Sequence, residues 1–272
     1  MAERFTVIGA TGYIGSRLVR HLQALGHTVW APSRGDAALL EQPLAHVLYC
    51  AGLTGDFRTR PFDTVEAHVG LLARVLQCAQ FDSLLYLSST RVYMGAASTH
   101  EDAALSVVPG DPSYLYNLSK LTGESLCHAS GRPGVRVARL SNVVGPGMDV
   151  DSGNLVADLI QQARSTGRVE LRSDPASAKD YIHLEDVVNG LVRIALQGRH
   201  AVYNLASGVQ TSHADWLGWL GRQTGCTVHV APDAPLQSFP PINVSRLLHE
   251  WPGAIQHSLW DPLLVSAFQP QE

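Results

Sequence analysis

VIGATGYIG (residues 7–15) joins a short apolar run, RFTVIGA (4–10), to a helical pattern, GSRLVRHLQALG (15–26), and puts Gly9, Gly12 and Gly15 in the turn between them. Small residues at such a turn let the backbone approach a pyrophosphate, whose charge suits the positive end of a helix. A glycine pattern alone is weak evidence. Here it occupies the first strand-to-helix turn, the context that gives it meaning.

Outward from this turn the same alternation repeats. HTVWAPS (27–33), HVLYCAG (46–52) and SLLYLSS (83–89) read as strands, with a periodic helix, FDTVEAHVGLLARVLQCA (62–79), before the last of them. A helix over DPSYLYNLSKLTGESLCHA (111–129) and a strand over VRVARLSNVVG (135–145) follow. Apolar strands separated by helices predict a parallel sheet covered on both faces. After VVGPG (143–147) the rhythm changes. A helix over NLVADLIQQARSTG (154–167), a strand RVELRS (168–173), a helix from Asp186 and the segment YNLASG (203–208) come next. Trp216, Leu217, Trp219 and Leu220 mark a late helix, TVHVA (227–231) a late strand, and FPPINVSRLL (239–248) a proline-stiffened connection into the last helix. The expected fold is α/β: a Rossmann-type doubly wound parallel sheet with a smaller α/β carboxy-terminal substrate lobe. Residues 1–142 would form the dinucleotide-binding domain, with 180–205 returning to it. Residues 143–179 and 206–272 would form the substrate-binding lobe.

Composition narrows the function. The 272 residues carry a net charge of −4 with scattered Lys and Arg, so no basic stripe offers itself to nucleic acid. The four cysteines have no metal-ligand spacing, and the twelve histidines include no HExxH, so no metal site is expected. GxSxG is absent, which removes the nucleophile elbow of a serine hydrolase. The amino terminus, MAERFTVIGA, has no signal-peptide apolar region, and no later stretch is apolar for long enough to span a membrane. A soluble cytoplasmic protein with buried free thiols is the expectation.

Two further segments point to chemistry. The second strand ends WAPSRGD (30–36), with Ser33 where an acid would hold the ribose hydroxyls of NAD and Arg34 beside it. An Arg there accommodates the 2′-phosphate of NADP. NADP is therefore expected, with NAD as the alternative if Asp36 takes the acidic role or Arg34 is only a solvated charge. In YLYNLSK (114–120), Tyr116 and Lys120 stand four residues apart, on one face if the segment is helical. A phenol of pKa about 10 is a poor acid near neutrality, and a neighbouring ammonium lowers that value.

GATGYIG, YLSSTRVY (86–93), YNLSK, RLSNVVGPG (139–147) and KDYIHLEDV (179–187) occur in this order across nearly the whole chain. Together they resemble the extended short-chain dehydrogenase/reductase family, in particular the epimerase/dehydratase/reductase branch that acts on nucleotide sugars. The resemblance implies Ser89, Tyr116 and Lys120 as the catalytic set, with Tyr116 exchanging a proton with the reacting oxygen while a hydride moves. It implies cofactor contacts from Gly9, Thr11, Gly12, Tyr13, Ile14, Gly15, Ser33, Arg34, Cys50, Ala51, Gly52 and Val143, besides Tyr116 and Lys120. Substrate contacts fall to Ser89, Asn142 and Lys179, the last standing where the family has an Arg that meets the diphosphate. His183 reads as structural, and a homodimer follows the family habit.

Three departures refine this. Between Ser33 and His46 the chain is too short for the usual helix, third strand and acidic residue near adenine. His68 precedes Val69 where the family has Asn before Val. Thr90 and Arg91 follow Ser89 where the 4,6-dehydratases carry Asp and Glu, which argues against dehydration. The leading reading is an NADP-linked 4-keto reductase of a nucleotide-activated sugar. An NAD-dependent nucleotide-sugar epimerase is the alternative, and a non-enzymatic NADP-binding sensor is the alternative of another class.

Overall fold

The computed structural model describes residues 2–53, 55–148, 153–237 and 239–266. Apolar runs bounded by glycine and polar turns become buried strands there, as runs covered on both faces should. In chain order the strands are β1 (Arg4–Ile8), β2 (Thr28–Trp30), β3 (His46–Tyr49), β4 (Ser83–Ser89), β5 (Val135–Leu140), β6 (Asn142–Val144), β7 (Arg168–Leu171), β8 (Ala178–His183), β9 (Val202–Leu205), β10 (Gln210–Ser212) and β11 (Thr227–Val230). Six of them make one parallel sheet in the order β2-β1-β3-β4-β5-β9. The fold is Rossmann-like. The strand order reverses beside β1, so the crevice at the carboxyl ends of β1 and β3 is where this architecture binds ligands. The turn Gly9–Gly15 lies there.

Helices cover both faces of this sheet. On one side α1 (Tyr13–Ala24) and, later in the chain, the helix Leu184–Gln197 pack over Phe5, Val7, Leu48, Leu85 and Leu87. On the other, α2 (Pro61–Val65) leads through a π turn (Glu66–Gly70) into α3 (Leu71–Cys78), which lies beside α4 (Leu115–Ala129). These cover Val47, Tyr49, Leu84, Tyr86 and Val137. Along β4, Leu84 and Tyr86 face one core and Leu85 and Leu87 the other, the period-two alternation of a strand.

A second core joins α5 (Leu155–Thr166) and α7 (His213–Thr224), whereas α6, the helix Leu184–Gln197, belongs to the large-sheet core. Val156, Ile160, Leu171, Tyr181, Trp216 and Trp219 fill it, so the two tryptophans are packing residues. Leu247 of α8 (Ser245–Glu250) and Ala254 belong to the large-sheet core, whereas Leu264 of α9 (Leu263–Ser266) belongs to the second. Residues 206–266 thus contribute to both. Residues 149–152, 238 and 267–272 of the expected lobe lie outside the described residues.

Three elements differ from expectation. The run 135–145 is two strands, because the chain leaves the large sheet after Leu140 and enters a second sheet, β10-β8-β6, at Asn142. Leu140 is buried in the first core and Val144 in the second, which an apolar run cannot announce. The long helix 62–79 is widened by its π turn, where the Tyr49 hydroxyl donates to Ala67 O (2.7 Å) and the Tyr86 hydroxyl to His68 O (3.3 Å). KDYIH, noted only as a motif, forms most of β8.

The depth of α4 on the sheet is set by a buried ion pair. Arg139 on β5 donates to Glu124 through Nε (3.1 Å) and Nη2 (2.7 Å), and Ser88 donates to the same carboxylate. Arg139 Nη1 reaches Tyr93 OH (2.7 Å) and Glu101 O (3.1 Å), so the charge is saturated with partners. Gly123 lets the helix close in: a Cβ there would lie 2.4 Å from Tyr86 OH. Removing one partner strands a buried charge. Glu124→Leu should therefore lose about 3–5 kcal/mol in urea unfolding, whereas Glu124→Leu combined with Arg139→Met should recover most of it.

Candidate active site

The turn after β1 separates two kinds of glycine. Gly9 has φ +86, and a Cβ on it would lie 2.7 Å from Ala51 N. A Cβ on Gly15 would lie 2.2 Å from Gly9 O. Internal packing accounts for both. Gly12 is different. It precedes α1 with φ −76, and a Cβ there would meet only Gly9 O at 3.5 Å. Nothing within the chain demands a glycine, so the demand falls to whatever docks on the turn. The first turn of α1 carries no acidic side chain, which leaves its positive end uncompensated. Thr11 and Gly12 are exposed, while Tyr13 and Ile14 are half-buried against the core. These features fit a pyrophosphate.

At the end of β2, Ser33 and Arg34 are exposed in a turn completed by Gly35 at φ +80. Asp36 accepts from Ala38 N (3.0 Å) and caps the 3-10 turn Ala37–Leu40, so its carboxylate is already engaged. Arg34 makes no hydrogen bond or ion pair among the described residues. After β3, Cys50 and Ala51 are half-buried and Gly52 is exposed. Burial pushes the Cys50 thiol up to about 12, so it is no thiolate near neutrality.

Beside this turn, β4 and α4 deliver three polar groups. Ser89 Oγ accepts from Arg91 N (3.2 Å), and its own proton has no acceptor among the described residues. Tyr116 is buried, with its ring against Phe57 (5.6 Å) and edge-on to His68 (5.3 Å). Lys120 lies one helical turn on, its Nζ 5.9 Å from the Tyr116 ring centroid and 2.8 Å from Leu87 O. Leu87 is two residues before Ser89 on the same strand. The structure therefore brings Tyr116 and Lys120 together over the end of β4. Burial lowers the Lys120 pKa to about 7.

Of the expected substrate residues, Asn142 and Lys179 line a cavity of about 430 Å³, whose walls also include Asn154, Asp158 and Tyr181, whereas Ser89 is not part of its lining. The Asn142 amide donates to Asp180 O (2.8 Å), and Val143 O accepts from Asn154 (3.2 Å). Lys179 has its pKa lowered by burial and then by the charge of Arg91. His183 precedes α6, where its Nδ1 accepts from Glu185 N (3.2 Å), a structural use. Among the described residues no group of His, Cys, Asp or Glu could hold a metal, and no helix is long and apolar enough to cross a membrane.

Arg91 enters the site unannounced. Asn117 (3.1 Å) and Ser113 O (3.3 Å) hold its guanidinium 5.9 Å from the Tyr116 ring and 5.4 Å from Phe57, whose ring also has Arg58 at 4.6 Å. The sequence had carried the signal two residues after Ser89. In sequence that position shows only the absence of an acid, and its use as a cation needs the fold.

A family model described as the NAD dependent epimerase/dehydratase family matches residues 5–206. A dTDP-4-dehydro-6-deoxy-D-allose reductase of Streptomyces bikiniensis is 24% identical over 249 aligned residues, covering 76% of this chain and 76% of the relative. Among solved structures, MoeE5 in complex with UDP-glucose and NAD superposes with a TM-score of 0.79 at 23% identity, covering 98% of this chain and 97% of that one. RMD from Pseudomonas aeruginosa complexed with NADPH gives 0.77 at 25% identity, covering 97% and 98%.

The depressed pKa of Lys120 has a measurable sign. Between about 7 and the ordinary value of 10.5 the unfolded chain holds this proton and the ligand-free folded chain does not. Stability contributed by this group therefore rises with pH across that window and is flat below it. Lys120→Met removes the effect. The melting temperature of wild type minus that of Lys120→Met, without ligands, should be constant below about pH 7 and climb as pH rises toward 10.

Proposed function

Because this chain belongs to the NAD dependent epimerase/dehydratase family of extended short-chain dehydrogenases/reductases, and is an enzyme of that type, we propose that it reduces the 4-keto group of a nucleotide-activated sugar with NADPH. The observation that supports the reading is the approach of Lys120 to Tyr116 on α4, with Lys120 bonded to β4, the strand that ends in Ser89. The Streptomyces reductase among the relatives acts on a 4-dehydro sugar by its name, and one structural neighbour holds NADPH.

NADPH, when bound, supplies the hydride to the carbonyl carbon. The protein's residues handle the proton and the positions. Tyr116 gives its phenolic proton to the carbonyl oxygen as the C–O bond becomes an alcohol. Ser89, whose hydroxyl proton is uncommitted, donates a hydrogen bond to the same oxygen. Lys120 binds the nicotinamide ribose and favours the phenolate that Tyr116 leaves behind. Gly12 and the amino end of α1 take the pyrophosphate, and Arg34 takes the 2′-phosphate. Lys179 and the cavity around Asn142 take the sugar nucleotide's diphosphate.

Consumption of NADPH in step with a nucleotide-activated 4-keto sugar tests the reaction. Tyr116→Phe should keep NADPH affinity and lower turnover by roughly a hundredfold or more, the scale of a lost general acid. Near-normal turnover would remove Tyr116 from the mechanism.

Cofactor choice is tested separately by fluorescence titration. Wild type should bind NADPH at least about tenfold tighter than NADH, or ~1.4 kcal/mol, through charge-assisted bonds from Arg34. Arg34→Ala should erase most of that difference while barely changing NADH affinity. Equal affinities, or NAD retained through purification, would move the epimerase reaction ahead of reduction.

A further inference from the structure

Arg91 stands two residues after Ser89, in the turn that leaves β4. Asn117, fully buried on α4, clamps it with both ends of its amide. Its Oδ1 accepts from Arg91 Nε (3.1 Å), and its Nδ2 donates to Arg91 O (3.2 Å). Ser113 O accepts from Nη2 (3.3 Å). Asn117 follows Tyr116 directly, so one residue of α4 carries the proposed acid and the next fixes a cation beside it. A long side chain held in this way has already lost the rotamer freedom that binding would otherwise cost.

The clamp occupies the Nε side of the guanidinium. The Nη1 group has no partner among the described residues, and no carboxylate there lies within ion-pair distance. Asp111, an acid whose charge reaches Arg91, is engaged by Ser113 N (2.8 Å). The exposed Arg58 adds a second positive charge on the same Phe57 ring. A half-buried cation beside another cation is costly until an anion arrives.

Arg91 also addresses two parts of the site. Its guanidinium is 5.9 Å from the Tyr116 ring, and its charge acts on Lys179 in the cavity wall. On the reading proposed above, C4 of the sugar lies at Tyr116 and the diphosphate, carried on C1, at Lys179. The ring carbon next to C4 that carries a further carbon is C5. A carboxylate on C5 has its carbon two bonds from C4, and its coplanar oxygens match the free end of a guanidinium.

We propose that Arg91 selects nucleotide-activated uronic acids, the free end of its guanidinium binding the C6 carboxylate while Tyr116 and Ser89 hold O4. The inference rests on the placement of C4 at Tyr116. A hexose with a neutral hydroxymethyl group leaves the cation unpaired, so the neutral sugar is disfavoured as well as the acid favoured.

Protein saturated with NADPH cannot oxidise an alcohol, so 4-hydroxy sugars can be titrated by calorimetry without turnover. The probes are UDP-glucuronate, UDP-glucose and UDP, and the same three with thymidine in place of uridine. In the series it accepts, wild type should bind the glucuronate at least about thirtyfold tighter than the glucose, the scale of charge-assisted hydrogen bonds. Arg91→Gln should cut that ratio to about threefold or less by losing the glucuronate, with binding of the nucleoside diphosphate retained as the sign of a folded site. Lys179→Ala should weaken both sugars and keep the ratio. No preference in either series, or a preference that survives Arg91→Gln, would overturn the proposal. Equal weakening of all three ligands in Arg91→Gln would place Arg91 on the diphosphate and overturn it too. A preference lost in Arg91→Gln, found together with no NADPH consumed by any 4-keto sugar, would sink the reductive reading and leave selection by Arg91 standing.

Discussion

The buried ion pair of Glu124 with Arg139 governs where Tyr116 and Lys120 sit on the sheet. Tyr116, Lys120 and Glu124 recur at four-residue intervals along α4 and therefore lie on one stripe of the helix. Pinning the last of them to β5 sets the rotation of the whole stripe against the sheet. Gly123 sets its depth, because α4 meets Tyr86 and the π turn more closely than any side chain would allow. A buried carboxylate and guanidinium are expensive to desolvate, so the arrangement holds only with each group fully partnered. Arg139 meets that demand by reaching Tyr93 and Glu101 as well.

Towards the cleft the balance is reversed. Lys120, Arg91 and Lys179 have no carboxylate within ion-pair distance among the described residues. Burial pushes the pKa values of all three down. Cations kept unpaired in the free protein favour the binding of anionic ligands. Stability is given up where ligands restore it. The engaged Asp36 belongs to the same economy: its carboxylate caps a turn, and the end of β2 is left to Arg34.

Much of this was legible in the chain. The turn GATGYIG, the strand ending in Ser89 and the Tyr116–Lys120 spacing are local patterns, and local patterns survive without knowledge of partners. The family match over residues 5–206 bears out the family that these patterns resemble. Long-range relations were not legible. The break at Ser141 depends on which of two cores receives Leu140 and Val144. Arg91 became a cation beside Tyr116 only once Asn117 and Ser113 held it there. The π turn depends on two tyrosines, from β3 and β4, that supply donors to its carbonyls.

The sequence by itself determined the parallel α/β order, the glycine turn after β1 and the pair on α4, because each follows from the pattern within one short segment. Tertiary structure alone decided which polar groups are engaged and which are left open. Asp36 is engaged by Ala38, whereas Gly12 meets almost nothing, and His68 Nε2 is stranded beside Lys120. That division has a physical cause. Spacing along a chain sets which face a side chain shares, but a hydrogen bond or a buried charge is settled by neighbours that arrive from elsewhere in the fold.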